Sequence, residues 1–472
     1  MTTSTFNYKN LNNTQDCDVL PTTGSLNILV LPIELSDYAF STQTLTDLSN
    51  AFNGSGSTDT GYWESLASFY KKSSFGQLNL TYTIASKYSC GYTAQGLYNK
   101  NSSDHTQGST DILRLAVANY KSTTSSTCTG FDSDTNGLID AVIMVYSCPD
   151  CGSSTTIASI DADYELFWAY CFWDYNNYGN ASTASPIACN YFWMSYDFLY
   201  EEATSPNVDA HTLIHESGHL MGLDDYYSYD TLTTSSSIYP NPAGGIDMMD
   251  LNICDHDVFS KMALNWIKPY VVSGSCSITI NPSEDSGDCI LVPTGSGWNG
   301  TAFDEYLLME LYTPTNLNQL DAETKYSTRC QGYTTYGVKL YHVDSRIAKV
   351  TSSTAGTYVT SPSAAFTSAG SSGYPYYTVA ATNSRARDSY PATGNSYDLL
   401  RLIESGNSNT FNTGSYGTND TLFETGDTFS LSTYGTNFFP KKTTFNNGAS
   451  LGYSISFTSV SATSATITFT AA

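Results

Sequence analysis

The 472-residue sequence predicts an α/β (α+β) domain followed by an all-β region, with the expected division at residues 1–270 and 271–472. Three observations carry this. Strand-like and helix-like runs alternate through the first half; from about residue 270 onward the runs are short and alternating; and one helical segment near the middle holds three of the chain's six histidines within nine residues.

Taken in order, Leu26–Leu31 is a continuous apolar run of the kind that forms a buried strand, and a polar helical stretch follows near Leu45 to Phe52. Tyr62, Trp63, Leu66, Phe69 and Tyr70 recur at helical spacing. Leu78, Leu80, Tyr82 and Ile84 alternate as a half-buried strand does, and Ser109 to Tyr120 is amphipathic, with Ile112, Leu113, Leu115, Ala116 and Val117 apolar. Another strand is expected at Leu138 to Tyr146, and a helix near Asp209 to Met221 is expected to cross behind the sheet. Beyond it, Ser277–Ile280, Tyr306–Glu310, Gly337–His342 and Ala465–Phe469 alternate as strands of one or two β-sandwich modules would. Residues 351–417, dense in Ser, Thr, Tyr and Gly, are expected to form a long loop.

Composition narrows the function. The net charge of −25 comes from only 19 Lys and Arg against 44 Asp and Glu. Nucleic acid and anionic membranes are bound through clustered cations, so neither is an expected partner. The longest apolar stretch, near Ile28 to Ile33, is far short of the roughly 20 residues that span a bilayer, so membrane insertion is not expected. The Tyr-, Ser-, Thr-, Asn- and Gly-rich composition fits an extracellular protein. The start at Met1 has neither a basic nor an apolar segment, so any signal peptide is expected to have been removed. Eleven cysteines allow up to five disulfides, and Cys148-Pro-Asp-Cys151 is expected to form a local or structural disulfide, with a redox or metal pair as the other reading.

The chemistry is concentrated in Val208-Asp-Ala-His211-Thr-Leu-Ile-His215-Glu216-Ser-Gly-His219-Leu-Met-Gly222-Leu-Asp-Asp225. His215 and His219 are four residues apart, so a helix places both imidazoles on one face where they can share a metal ion. Glu216 between them has the position of a general base acting on water. Gly222 permits a sharp turn, and Asp225, six residues after His219, then occupies the third-ligand offset; Asp224 is the competitor. His211 lies eight residues and roughly 12 Å along a helix axis from His219, so helix entry or packing is expected of it rather than ligation. Downstream, Ala243-Gly-Gly-Ile-Asp-Met248-Met249-Asp250 is a tight glycine turn delivering a methionine; on physical grounds alone such a methionine is core packing.

The motif H-E-x-x-H-x-x-G-x-x-D with a following methionine turn resembles the metzincin clan, and its aspartate form is similar to the immune inhibitor A family of secreted bacterial zinc metallopeptidases. Phe69-Tyr-Lys-Lys-Ser-Ser74-Phe-Gly76-Gln-Leu, Phe259-Ser-Lys-Met-Ala-Leu-Asn265-Trp266-Ile-Lys-Pro269 and Gly337-Val-Lys-Leu-Tyr-His342-Val-Asp344 also look like passages of that family, with Asn265 where a glycine is usual. The resemblance runs from about residue 25 to 350. It implies a metzincin-like catalytic domain with a twisted mixed sheet, a C-terminal β-sandwich region, and Met249 as the hydrophobic floor beneath the ligands, with Met248 the close alternative.

A second candidate site is Phe131-Asp132-Ser-Asp134-Thr-Asn136-Gly137-Leu-Ile-Asp140, with oxygen donors at alternate positions and glycine at the bend. Its twelfth position is Ile143 rather than Glu, which excludes an EF-hand and leaves a looser calcium site of Asp132, Asp134, Asn136 and Asp140; a solvated turn is the plainer reading. The aromatic tracts Tyr164 to Tyr175 and Tyr191 to Tyr200 are expected to be mainly core strands, with a substrate groove as the other use. Tyr226, Tyr227 and His256 are candidates for polarising a scissile carbonyl.

These readings converge on a secreted zinc-dependent endopeptidase. Zn2+ is the expected cofactor, Ca2+ a second candidate, a protein or peptide the substrate, and a monomer the expected state. The alternative is a surface adhesin or glycan-binding β protein with a vestigial metal domain, against which the intact Glu216 argues. A zinc hydrolase acting on another bond, or on short peptides only, is a third reading.

Overall fold

The computed structural model describes residues 6–11, 19–56, 60, 63–232, 236–327, 329–352, 355–359, 374–384 and 397–471. It is a mixed α/β protein with several sheets, compatible with an α+β class. The chain divides into two compact units, Gln15–Gly222 and a second of Met1–Thr14 with Leu223–Ala472. Residue 270 falls inside the second.

In the first unit, the apolar run at Leu26 becomes the strand Gly24–Glu34, parallel to Leu78–Ile84 on one side and Val142–Tyr146 on the other. Asn190–Ser195 continues the sheet in parallel, and Tyr170–Trp173 closes its edge antiparallel. Val142–Tyr146 and Asn190–Ser195 are buried along their whole length, as central strands covered on both faces must be. The helix Thr42–Asn53 starts at Ser41, whose Oγ accepts from the Thr44 amide at 3.0 Å, and a Ser65/Ser68 capping box starts Leu66–Ser73. Tyr62 lies outside the described residues. The helix Gln107–Thr124 buries Ile112, Leu113, Ala116 and Val117, whereas Leu115, about 200° round the helix from Leu113, faces solvent. The strand expected at Leu138 to Tyr146 is two pieces, because Leu138–Ile139 pairs instead with Ile187–Ala188.

The two aromatic tracts differ. Tyr191 and Trp193 sit in the core, while Tyr170–Trp173 is only half-buried and Tyr164, Trp168 and Tyr175 are exposed, since an edge strand has cover on fewer sides. The expected disulfide across Cys148 and Cys151 is absent: both are free thiols, as are Cys90, Cys128, Cys254, Cys276, Cys289 and Cys330; Cys17 lies outside the described residues. Cys151 Sγ bonds Asp161 Oδ2 at 3.4 Å, and burial beside that carboxylate pushes its pKa up to about 12, which works against thiolate redox chemistry.

The second unit is rich in β structure. One sheet runs in the order Leu400–Leu402, Gly337–Asp344, Glu305–Tyr312, Ile290–Pro293, Tyr270–Val271. Another runs Cys276–Ile280, Ala465–Ala471, Tyr453–Val460, Thr428–Phe429. Both contribute to one apolar core that includes Ile280, Leu307, Val338, Phe429, Phe457 and Ile467. Part of the loop expected at residues 351–417 is ordered as strands: Ala355–Tyr358 and Tyr376–Val379 flank Ile347–Ser352, whose Ile347, Ala348 and Val350 are buried. Residues 353–354, 360–373 and 385–396 of that stretch lie outside the described residues. Among the described residues no helix is long and apolar enough to cross a membrane.

Candidate metal centre

The histidine motif forms the helix His211–Leu220, packed against Asn190–Ser195, Tyr170–Trp173 and Leu66–Ser73. Both ends are anchored. Asp209 Oδ1 accepts from the His211 amide at 2.9 Å, and the last carbonyl, of Leu220, accepts from the Leu20 amide at 2.8 Å. In between, the Tyr70 hydroxyl donates to the Ile214 carbonyl at 2.7 Å, which fixes the helix one residue before His215.

On this rigid support the Nε2 atoms of His215 and His219 approach to 3.0 Å, with their rings nearly perpendicular. The chain then turns at Gly222, where φ is +99°, and brings Asp225 back, so that one ligand atom from each of His215, His219 and Asp225 lies within 4.8 Å of the others. Two nitrogens bound to one tetrahedral zinc at about 2.0–2.1 Å stand roughly 3.3 Å apart, so the observed spacing is within a few tenths of an ångström of that geometry. Either one ring donates to the other or both lone pairs face a shared cation; in both cases the two Nε2 atoms point at one spot. Two imidazoles and one carboxylate are also a donor set that zinc accepts. The residues therefore fit the ion.

Glu216 is buried in the same helix, and its i+3 neighbour on the helix surface is His219. His211 is fully buried, stacked on Trp63 at 4.3 Å and paired through Nδ1 with Asp209, so the structure gives it the packing role its spacing implied. Asp224 is engaged elsewhere: its Oδ2 accepts from Thr382 Oγ1 at 2.8 Å.

The glycine turn has the left-handed backbone its sequence calls for, with φ of +85° at Gly244 and +80° at Gly245. A Cβ on Gly245 would come within 2.6 Å of the Tyr416 ring. Asp247 caps the short helix Met248–Leu251 by accepting from the Met249 amide at 2.8 Å. Met248 and Met249 are both fully buried, and the Met249 carbonyl accepts from the Tyr226 amide at 2.8 Å, which ties the turn to the residue following Asp225. Asn265, standing where glycine is usual in the resembling family, has φ of +64°; asparagine is among the few other residues that tolerate this region.

No protein-family model matches the chain, and no curated protein matches it.

Tyr226 is fully buried and its hydroxyl bonds Ser260 Oγ at 2.7 Å, which leaves it no access to a ligand from solvent. His256 is buried as well, against Trp266. A residue that sequence reasoning missed is Tyr229, whose hydroxyl donates to Asp225 Oδ2. Its one signal is its place four residues after Asp225, which says nothing of contact in an irregular loop.

At the second candidate site, Asp132, Asp134 and Asp140 each bring a carboxylate oxygen within 4.8 Å of the others. Asn136 Oδ1 accepts from the Leu138 amide at 2.8 Å and its Nδ2 donates to Asp134. Gly137, at φ of +89°, lies so close to Ser182 that a Cβ there would meet its backbone at 2.6 Å.

Proposed function

We propose that the chain is a secreted zinc-dependent endopeptidase of the metzincin type, similar to the immune inhibitor A family, with a protein or peptide as substrate. The observation that carries this is the convergence of the His215 and His219 Nε2 atoms, 3.0 Å apart, with an Asp225 carboxylate oxygen within 4.8 Å. The mixed sheet with its antiparallel edge strand, the buried methionine turn and the shared core of two β sheets support the finer reading of a metzincin-like domain and a C-terminal β-sandwich.

A zinc ion held by His215, His219 and Asp225 would supply the Lewis acidity that brings the pKa of a water toward neutrality and polarises the peptide carbonyl. Glu216 takes the proton from the water as its oxygen attacks the carbonyl carbon, then delivers it to the amine nitrogen as the C–N bond breaks. The edge strand Tyr170–Trp173 supplies a ladder on which an extended peptide can add as a further strand.

The test is elemental analysis of the purified protein together with a chelator-sensitive assay on casein. Glu216→Gln retains stoichiometric zinc and loses nearly all hydrolysis. Undiminished turnover by that variant removes Glu216 as the base, and a protein that takes up no zinc removes the whole reading.

A further inference from the structure

We propose that Tyr229 and the buried run Thr382-Asn383-Ser384 form a clamp that positions the carboxylate of Asp225, an inference that rests on the zinc reading of that residue. His215 and His219 stand on a helix, but Asp225 stands in the irregular segment 223–230, where neither helical bonds nor a strand ladder fix the backbone. A ligand in such a loop is placed only as well as its surroundings hold it.

Three consecutive residues from about 160 positions downstream provide the hold. Thr382 Oγ1 donates to Asp224 Oδ2 at 2.8 Å, and the other oxygen of Asp224 accepts the Asp225 amide at 3.1 Å. Asn383, fully buried, donates through Nδ2 to the carbonyls of Tyr226 and Leu400, each at 2.8 Å, while its Oδ1 accepts the Leu400 amide at 3.0 Å. This locks the residue after the ligand to the strand Leu400–Leu402. The Ser384 carbonyl accepts the Tyr229 amide at 2.9 Å, and Ser384 Oγ bonds Thr382 Oγ1 at 2.8 Å. The Tyr229 hydroxyl then closes the circuit on Asp225 Oδ2.

Both neighbours of Asp225 and one of its own oxygens are thus fixed by a single short segment. Fixing Oδ2 restricts the rotation of the carboxylate, and with it the direction in which the group is presented. Hydrogen-bonded partners that orient a metal ligand in this way are each worth about 10–100-fold in metal affinity. The same contacts would also serve a loop with no metal function, so the deciding variant must leave the fold alone. Tyr229→Phe does this: it deletes one oxygen from a residue that is 42% exposed and keeps every backbone tie.

In the full-length protein, Tyr229→Phe is expected to weaken zinc about 10–100-fold in competition with a chromogenic chelator, and to shift the visible absorption of the cobalt(II)-substituted protein. The Tm of the metal-free protein stays within a degree of the parent. Thr382→Val gives a smaller loss in the same direction, and Thr382→Ser restores it. Parent-like zinc affinity and an unchanged cobalt spectrum in Tyr229→Phe overturn the clamp while leaving the zinc site in place. A parent protein that takes up neither zinc nor cobalt removes the zinc reading and the clamp with it. If Thr382→Val does not fold, Tyr229→Phe decides alone.

Discussion

The helix–loop cluster of His215, His219 and Asp225 and the loop cluster of Asp132, Asp134 and Asp140 both gather three ligand-type side chains within 4.8 Å, yet they are built on opposite plans. In the first, two ring nitrogens face each other at 3.0 Å on a helix, where the backbone bonds within itself and does not call on these side chains to shape it. In the second, the carboxylates serve the loop itself. Asp132 accepts the amides of Asn136 and Gly137, each at 3.0 Å, and Asp140 accepts the Ser133 amide with both oxygens at 3.2 Å. Proximity of acids is therefore a weak criterion. The informative question is what else the donor atoms do, and in the aspartate loop they also hold the backbone amides in place.

The largest expected effect follows from that contrast. His219→Ala removes one of the two facing nitrogens and should lower zinc affinity by more than about 100-fold, beyond what the loss of an outer partner costs, with proteolysis falling in parallel. Asp132→Ala should leave zinc content and activity at parent levels. Zinc titration by competition with a chelator, run on both variants, breaks the comparison if the two lose zinc equally.

A medium effect separates the readings of the aspartate loop. If it binds calcium, then calcium at 100 times its Kd adds about 2.7 kcal/mol to the zinc-loaded protein, a rise in Tm of roughly 5–11 °C for a unit of this size. Its oxygen donors should show no comparable response to zinc. A Tm that ignores millimolar calcium assigns the loop to backbone capping alone. Asp132→Asn should then still cost about 1–3 kcal/mol, because a charged acceptor of two amides has been replaced by a group with one oxygen.

What could be read in the sequence follows the range of the interactions. The motif helix, the alternation of Leu78–Ile84 and the buried strand around Leu29 are set by neighbours a few residues apart, and each lies where its periodicity places it. Gly222, Gly244 and Gly245 were legible because few other residues accept a positive φ. Leu138–Ile139 separates from the strand its sequence suggests because its partner, Ile187–Ala188, is some fifty residues away and leaves no local mark. The Cys148–Cys151 spacing could not report that both thiols remain reduced. Tyr229 and Thr382 were invisible for the same reason as Ile187: a hydrogen bond across 158 residues, such as Thr382 to Asp224, has no periodicity.

A third grouping, Asp150 with Asp197, sharpens the comparison by showing acids brought together with neither imidazole nor alternating loop donors. Ser153 Oγ stands 2.5 Å from an oxygen of each, but one hydroxyl proton can serve only one of them. The arrangement calls for a proton rather than a cation. Burial, with the neighbouring charge of Asp150, pushes the Asp197 carboxyl up to about 6, against about 3.9 in an unfolded chain. The folded protein therefore holds this proton more tightly, so its contribution to stability is complete below about pH 4 and is lost as the pH rises through about 6. With partial exposure allowed for, the loss is about 1–2 kcal/mol. Asp197→Asn cannot ionise, and its Tm should decline less than the parent's between pH 4 and pH 7. Parallel Tm profiles for the two proteins would show that Asp197 is ionised throughout and that Ser153 alone separates the charges.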